Sequence, residues 1–325
     1  MVLKKYSKQV LINLGFINLL QLFLSQVTKV KNETIHLFCE VVYRFPNPVY
    51  KFNLLFTSRS NQIKKATNDL HNEGFTILYE FLDEEQLEKL KSSFTEMSKV
   101  IEGCEPGPIK LSPFGGLLHP QVLYPEQAFD QDSQTTFSNN PFKYSREFLE
   151  VALNCEIITI IGGYIGKKFM LQQSTAARCY PLNKTNFGSW QWHHDSWGKK
   201  VNVMVLLSDV TEADQYMSYM KFSHKIYHSF ERTAVNDRFT EEEVLKLGVH
   251  NVVKCIGKAG TIFIFDANGF HRGNRNLGAT RDVLINQYTA GRYLWPLGIP
   301  EKFLINLNTE QVKFLKQNPH IEILK

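Results

Sequence analysis

The sequence predicts a mainly β protein with flanking helices, built as an antiparallel sandwich or barrel. Two observations indicate this class. Apolar residues recur at helical spacing soon after residue 66, whereas short runs of β-forming residues dominate the second half of the chain. Three such runs lie at 201–207, 261–265 and 283–288. A helical lead-in followed by spaced short strands is typical of this architecture.

The first elements of this domain can be predicted in order. Residues 76–79 form an apolar run of strand length. Acidic residues at 83–85 suit the positive end of a helix dipole, and they open a helix predicted over 85–99. One face of this helix is apolar at three- and four-residue spacing, with Leu87, Leu90, Phe94 and Met97.

A long loop and two further helices complete the prediction. Residues 103–142 are rich in Gly, Pro, Ser and Asn, which indicates a long loop, either functional or merely connecting. Helical patterns cover residues 144–154 and 241–247. The main domain is therefore expected to run from residue 66 to residue 325.

Residues 1–65 form a separate, basic N-terminal extension. They contain ten Lys or Arg and two acids, Glu33 and Glu40, so this segment carries +8 and the rest of the chain carries −3. Residues 10–24 are largely apolar with polar residues at helical spacing, which predicts a helix packed on the core. A helix lying in a membrane interface is the alternative. The run is too short to span a bilayer comfortably, so we predict no integral membrane span.

Charge and cysteine content argue against several classes of function. A domain with a net charge of −3 does not attract nucleic acid, which disfavours a nucleic-acid partner. The five cysteines are odd in number, widely scattered and never in a Cys-x-x-Cys pair. This pattern indicates neither a disulfide framework nor a zinc–thiolate site, and it predicts a reducing, cytoplasmic location.

The segment 191–197, QWHHDSW, contains the residues most indicative of chemistry. Side chains at i and i+2 of a strand point to the same face, so His193 and Asp195 can reach one metal ion while His194 points away. Two ligands leave the site incomplete. Non-haem iron(II) oxygenases hold the metal with two histidines and a carboxylate on one octahedral face, which leaves the opposite face open.

His271 is the candidate for the third ligand. It follows the predicted strand at 261–265 and a loop containing Gly269, and Arg281 comes ten residues later, just before the next strand. A hairpin of that length can bring Arg281 beside His271. The planar guanidinium of Arg281 suits a two-point contact with a carboxylate, such as the far carboxylate of 2-oxoglutarate.

Purely structural roles are the alternative explanation for these residues. A buried histidine is more often a hydrogen-bonded core residue than a ligand, and Arg281 has Asp282 and Glu212 as possible ion-pair partners. Two His-x-Glu patterns also occur, at 71–73 and 320–322. Neither is followed by a histidine and an arginine at hairpin spacing, so we predict that neither binds metal.

In these motifs the chain resembles the phytanoyl-CoA dioxygenase family of iron(II)/2-oxoglutarate-dependent oxygenases. The resemblance covers about residues 66–292 and is carried by NEGFTIL at 72–78, LDEEQL at 82–87, WHHDS at 192–196, FSHK at 222–225, AGT at 259–261 through Asp266, HRGN at 271–274 and RDVL at 281–284. It implies a double-stranded β-helix, the jelly-roll core that cupins share. One departure is Phe222, which stands where the family has glycine, and this puts the turn and the lid beside it in doubt.

The resemblance also implies a site and a reaction. Iron(II) would be held by His193, Asp195 and His271, and 2-oxoglutarate by Arg281, with molecular oxygen as the other cosubstrate. The reaction would hydroxylate a small-molecule metabolite while 2-oxoglutarate yields succinate and CO2. Related halogenases have a small residue in place of Asp195, so its carboxylate favours hydroxylation over halogenation. A cupin-like metal-binding protein without oxygenase activity is the alternative, and substrate and oligomeric state are open.

Further pocket candidates lie near the iron motif. Arg178 and Gln191, upstream of His193, are candidates for contacts with 2-oxoglutarate or substrate, with ordinary polar roles in the sheet as the alternative. Three tryptophans either wall the pocket or pack in the core, Trp190, Trp192 and Trp197. The turn at Ser223 and His224 is a candidate lid.

Overall fold

The computed structural model describes residues 60–102, 127–130, 135–166, 168–182, 190–195, 200–226, 238–274, 276–290 and 297–325. The predicted helix at 10–24 lies outside these residues, as does all but the last six residues of the basic extension. The last six residues open helix α1, Asn61–Glu73, so the boundary drawn at residue 66 falls inside a helix. The Ser60 side chain caps the start of α1, and Gly74 ends it with a left-handed φ of 74°.

Helix α2, Glu84–Glu102, confirms the predicted helix at 85–99 and extends it slightly at both ends. Its apolar stripe buries Leu90, Phe94 and Met97 as expected, whereas Ile101 was not foreseen. A fully buried side chain of this size stabilises the fold by about 1.5–3 kcal/mol.

The predicted helix at 144–154 is confirmed, and a further helix that was not predicted follows it directly. Helix α3 spans Arg146–Ala152, and helix α4 spans Cys155–Ile165 after the Asn154 cap. Helix α4 lacks a polar face, which is why no amphipathic pattern revealed it. Among the described residues one stretch, Arg146–Ile165, is long and apolar enough to cross a membrane, but 67% of its most apolar window is buried inside the fold. Such burial is typical of a core helix.

The larger sheet has seven strands in the order β1-β8-β5-β10-β4-β3-β2. Their bounds are Phe75–Leu78 (β1), Gln127–Asp130 (β2), Thr135–Ser138 (β3), Met170–Cys179 (β4), Lys200–Leu206 (β5), Ile262–Asp266 (β8) and Arg281–Thr289 (β10). All neighbouring pairs are antiparallel. The strands predicted at 76–79, 201–207, 261–265 and 283–288 are therefore confirmed to within a few residues at each end.

The smaller sheet has three strands in the order β7-β6-β9. Their bounds are Met217–Met220 (β6), Val252–Cys255 (β7) and His271–Gly273 (β9). His193 continues this sheet, because it pairs with His271, the first residue of β9. Strands that are distant in sequence thus alternate between two facing sheets, which confirms the predicted jelly-roll core.

One prediction about the connections was wrong. The region 103–142, predicted as a loop, contains the β2–β3 hairpin and a short 3-10 helix at Pro141–Lys143. Strand β3 holds buried threonines, Thr135 and Thr136, whose polarity made the segment look like loop. They are buried because β3 pairs with β4, a contact that no local pattern encodes.

A short helix and a C-terminal unit complete the fold. Helix α5, Glu241–Leu245, confirms the predicted helix at 241–247. The C-terminal unit contains β11 (Leu297–Pro300), α6 (Thr309–Lys316) and β12 (Ile321–Leu324), and β11 and β12 pair in parallel.

Two apolar clusters hold the layers together. One lies between the larger sheet and the helices, and includes Phe94, Phe148, Ile161 and Tyr288. The other lies between the two sheets, and its buried residues come from both of them: Met204, Phe263 and Val283 from the larger sheet, Met217 and Tyr219 from the smaller. The space between the sheets, the barrel interior, is where the candidate site residues meet.

Candidate metal centre

Two histidines that are 78 positions apart in the chain lie side by side in the smaller sheet. The backbone N–H of His193 donates to the carbonyl of His271 at 3.0 Å, and the reverse bond is 2.8 Å long. The N–H of Asp195 donates to the carbonyl of Ala267 at 2.7 Å, which fixes the third residue beside them. The pairing therefore places both imidazoles and the carboxylate at one edge of the barrel interior.

The ligand atoms of these three residues converge. The Nε2 atoms of His193 and His271 lie 3.9 and 3.8 Å from Oδ1 of Asp195, and all three ligand atoms lie within 4.8 Å of one another. Both histidines are buried. Among the described residues, this is the one group of three or more His, Cys, Asp or Glu side chains with such spacing.

The backbone orients both imidazoles. Nδ1–H of His193 donates to the carbonyl of Gln191 at 2.8 Å, and Nδ1–H of His271 donates to the carbonyl of Gly269 at 2.9 Å. With the proton on Nδ1, the lone pair of each Nε2 is directed at Asp195. This is the arrangement in which a second hydrogen bond sets the tautomer of a metal-binding histidine.

The electrostatics of the site suit a divalent cation. Burial lowers the pKa of both His193 and His271, so each imidazole is neutral near pH 7. Burial alone would raise the pKa of Asp195, but Lys200 and the histidines lower it to well below its usual range. Two neutral imidazoles and one carboxylate are the donor set that iron(II) takes in this geometry, so the residues present fit such a metal.

Lys200, which the sequence did not single out, completes the cluster. Its ammonium lies 2.8 Å from Oδ2 of Asp195, and only 12% of its side chain is exposed. The two oxygens of Asp195 therefore have different partners. Oδ2 contacts Lys200, and Oδ1 faces the histidines. No sequence pattern links Lys200, at the start of β5, to Asp195, and only the fold brings the two together.

Arg281 begins β10 on the side of the sheet that faces the interior. It shares this side with Val283, which packs among residues of both sheets. One of its terminal nitrogens donates to Sγ of Cys179 at 3.5 Å, and its Nε is buried without a hydrogen-bond partner. The structure records no ion pair between Arg281 and either Asp282 or Glu212. Asp282 pairs with Arg178 and Glu212 with Lys254.

The two upstream candidates do not join the cluster through their side chains. Arg178 lies on the opposite side of the sheet, where it forms a two-point bond with Asp282 and lies over the ring of Phe94. Its neighbours there include helix α2, so it lies outside the barrel interior. Gln191 contributes its carbonyl, which orients His193, rather than its side chain.

The described aromatic and turn candidates make packing and hydrogen-bond contacts. Trp192 packs with Met220, Phe239 and Phe270, and Trp190 is buried, whereas Trp197 lies outside the described residues. Ser223 is fully buried, where its hydroxyl donates to the carbonyl of Met220 and accepts from the N–H of Phe270. The turn therefore braces the strand that carries His271.

The other histidines of the HHD and His-x-Glu motifs are directed away from the three candidate ligands. The His194 ring lies 5.9 Å from that of Phe239, as expected for a side chain directed away from the metal ligands. Nε2 of His71 contacts the carbonyl of Gly163, and Nε2 of His320 contacts the carbonyl of Leu171. Both His-x-Glu patterns lie apart from the His193–Asp195–His271 cluster.

Comparison with known proteins defines the family. The sequence profile of the phytanoyl-CoA dioxygenase family matches residues 70–282, a span that includes all three clustered residues and Arg281. The chain belongs to the phytanoyl-CoA dioxygenase family. This confirms the resemblance stated from the motifs and, at the level of class, the oxygenase prediction. A search of curated protein sequences finds no match for the chain.

Solved structures confirm the fold at low sequence identity. EctD from S. alaskensis with bound Fe aligns with a TM-score of 0.54 at 17% identity, over 74% of this chain and 83% of that one. EctD with 2-oxoglutarate and 5-hydroxyectoine aligns with a TM-score of 0.53 at 16% identity, over 73% and 80%. The epimerase SnoN with Fe3+, alpha ketoglutarate and nogalamycin RO aligns with a TM-score of 0.50 at 15% identity, over 70% and 83%.

Proposed function

We propose that this protein is an iron(II)/2-oxoglutarate-dependent dioxygenase that hydroxylates a small molecule. The observation that carries the proposal is the convergence of two Nε2 atoms and one carboxylate oxygen at the edge of the barrel interior. His193, Asp195 and His271 would hold the iron. The fold neighbours that were crystallised with iron and 2-oxoglutarate support this assignment of the metal and the cosubstrate.

Arg281 would bind the distal carboxylate of 2-oxoglutarate. A guanidinium whose Nε is buried without a partner is a ready site for an anion, because the carboxylate would supply the missing acceptor. The interior-facing side of β10 directs Arg281 into the same space as the three ligands. By fixing the cosubstrate at both ends, these residues would hold the reacting groups in place.

The overall reaction balances as substrate C–H, 2-oxoglutarate and O2 going to substrate C–OH, succinate and CO2. Bound iron(II) supplies the centre at which oxygen is activated with electrons from 2-oxoglutarate. The chain keeps both imidazoles neutral, keeps Asp195 ionised and surrounds the cluster with buried residues. A soluble small molecule is the expected substrate, and the cytoplasmic location stays a prediction from the cysteine pattern.

A metal-binding protein without oxygenase activity is the second candidate. It would need the three ligands but not Arg281. The buried, unpaired Nε of Arg281 favours the oxygenase, because a module that binds metal alone has no use for a second anion site.

An anaerobic titration of the full chain with iron(II) and 2-oxoglutarate tests the proposal. We expect a broad visible charge-transfer band that requires both additions. The band should be absent in His271→Ala and should need much more 2-oxoglutarate in Arg281→Ala. His250→Ala and Arg146→Ala change side chains of the same types outside the cluster and should titrate like the wild type. Metal binding without any band would favour the second candidate.

A further inference from the structure

We propose that three carboxamides in one row of the barrel wall, Asn202, Gln287 and Gln173, bind the substrate, and that it presents neutral hydrogen-bonding groups such as hydroxyls or amides. This inference rests on the proposed oxygenase function and names the substrate class for that site. It predicts that the substrate is a polar, uncharged compound rather than a fatty acyl thioester.

The register of the larger sheet places the three side chains together. Gln287 on β10 pairs with Asn202 on β5 on one side and with Gln173 on β4 on the other. Directly opposed residues in antiparallel strands point to the same face, with Cβ atoms about 4.5–5.5 Å apart. The three carboxamides thus form one continuous row across three strands, which we call the carboxamide row.

The carboxamide row faces the barrel interior. Met204, two positions along β5 from Asn202, lies in the cluster between the sheets, as do Val283 on β10 and Ala177 on β4. Side chains alternate along a strand, so the row shares the face of these three residues. Gln173 and Gln287 are part-exposed rather than buried.

The row begins next to the candidate metal ligands. Lys200, which is two positions from Asn202 and on the same face, contacts Asp195 at 2.8 Å. Phe265, the partner of Asn202 on β8, has its ring 5.5 Å from that of His271. A molecule seated on the row would therefore lie beside the proposed metal site.

The hydrogen-bonding state of the row indicates a missing partner. Asn202 is 4% exposed, yet its Oδ1 is buried with no hydrogen-bond partner. Leaving such a group unpaired costs about 1–3 kcal/mol, so a ligand that donates a hydrogen bond here would be bound favourably. Gln173, by contrast, donates to Asn139 at 3.0 Å, which holds its amide in place.

The charges around the row determine the class of ligand. The row itself contains no charge, and Lys200 and Asp195 beside it are paired with each other. A charged substrate would therefore find no counter-charge in the three carboxamides themselves. An acyl chain would leave the buried Oδ1 of Asn202 without a hydrogen-bond partner, which a site built for hydrogen bonding disfavours.

Deeper in the barrel the wall becomes apolar. Below the row the next pairs are Met204 with Ile285 and Leu206 with Val283, and Arg281 follows at the far end of β10. The polar row at the metal end is thus separate from the proposed carboxylate clamp.

The test combines binding and turnover on the full chain loaded with iron(II) and 2-oxoglutarate. The probes are neutral polyols and glycosides (myo-inositol, methyl glucoside, trehalose), N-acetylated amino-acid amides and straight-chain acyl-CoA thioesters. Binding is measured by calorimetry without oxygen, and succinate release is measured with oxygen. The variants are Gln287→Leu and Gln173→Leu, each nearly equal in size to the original, with exposed Gln62→Leu on α1 as the matched control.

We expect a neutral polar probe to bind and to raise succinate release. Its affinity should fall about tenfold or more in Gln287→Leu or Gln173→Leu, with KM for 2-oxoglutarate and the melting temperature unchanged. Preference for acyl thioesters, binding by no neutral probe, or equal affinity in all variants would overturn the proposal. A raised KM for 2-oxoglutarate in Gln287→Leu would assign the row to the cosubstrate and also overturn it. Loss of the charge-transfer band alongside intact probe binding would instead reject the oxygenase.

Discussion

At the residue scale, the carboxylate of Asp195 contacts two kinds of partner through its two oxygens. Its Oδ1 faces the two histidines, and its Oδ2 accepts a hydrogen bond from Lys200 at 2.8 Å. This contact restrains rotation of the carboxylate and favours its charged form. Groups that orient a metal ligand in this way typically change metal affinity when removed.

Replacing Lys200 by Met should therefore weaken iron binding. Because Asp195 would lose the partner that orients it, we expect the iron(II) affinity, read from the midpoint of the charge-transfer titration, to fall about tenfold. Lys221→Met removes a lysine whose ion pair with Glu73 is remote from the metal ligands, and it should leave the midpoint unchanged. A tighter midpoint in Lys200→Met would show that the lysine acts mainly by repelling the metal.

Phe222 occupies a turn position whose backbone conformation is unfavourable for a residue with a side chain. The chain has phenylalanine where the family has glycine, yet the backbone there keeps a left-handed φ of 68°. The turn is held by the N–H of Phe222, which donates to the carbonyl of Glu73 at 2.9 Å. A side chain in this region is strained, and the Phe222 ring is 45% exposed, so it recovers little by packing.

Phe222→Gly should therefore stabilise the protein, by about 1 kcal/mol. The measurement is the free energy of unfolding in urea. Leu277→Gly removes another exposed apolar side chain, at a position without a positive φ, and should be neutral or destabilising. If both variants lose stability equally, the left-handed backbone at residue 222 carries no strain.

At the element scale, helix α5 ties together the two strands that carry the histidines. Its first residue, Glu241, accepts a hydrogen bond from Nε1 of Trp192 at 2.9 Å and pairs with the guanidinium of Arg272. Arg272 also lies 4.6 Å from the centre of the Trp192 ring. Trp192 and Arg272 directly adjoin His193 and His271, so a five-residue helix fixes the neighbours of both ligands.

Removing this anchor with Glu241→Ala should destabilise the protein by about 1–3 kcal/mol, because Arg272 and Trp192 each lose a charge-assisted bond. It should also raise the iron(II) concentration needed in the titration. Glu242→Ala is the matched control, since Glu242 belongs to the same helical turn and its partner is an exposed lysine, Lys246. Equal unfolding free energies in the two variants would show that α5 contributes nothing through Glu241.

At the scale of the whole molecule, the C-terminal unit packs against the catalytic barrel beyond the family match. Phe314 on α6 contacts Phe169 and Tyr288, and Nε2–H of His320 donates to the carbonyl of Leu171 at 2.8 Å. Burial lowers the pKa of His320 to about 4. The docking of this unit is therefore coupled to pH.

The direction of that coupling follows from the two states of His320. The unfolded chain takes up the proton near pH 6.5, whereas the folded chain resists protonation until about pH 4. His320 therefore does not lower the free energy of unfolding above about pH 6.5. As the pH falls toward 4, its protonation in the unfolded chain lowers that free energy by up to about 3 kcal/mol. In His320→Gln the free energy of unfolding should fall less over this window.

Urea unfolding at several pH values checks this difference. His193 and His271 shift in the same direction but are present in both proteins, so the difference between the two pH curves isolates His320. His250→Gln changes an exposed histidine and should reproduce the wild-type curve. Parallel curves for wild type and His320→Gln would contradict the assignment.

The sequence by itself predicted strands β1, β5, β8 and β10, the helix α2 and the residues of the candidate metal triad. These features have local signals: a period of two or of 3.6 residues, or an unusual pair such as His193 and Asp195. The features that the sequence did not reveal have no such local signal. The buried helix α4 has no polar face, and strand β3 contains threonines that are buried where β3 pairs with β4.

Only the tertiary structure decided which side chains share a face and a space. It moved Arg178 to the helix side of the sheet, brought Lys200 to Asp195, and aligned Asn202, Gln287 and Gln173 in one row. Each of these outcomes depends on the register between strands that are distant in sequence. A shift of one residue reverses every side chain of a strand, and that register is set by the packing of the whole barrel rather than by any local pattern.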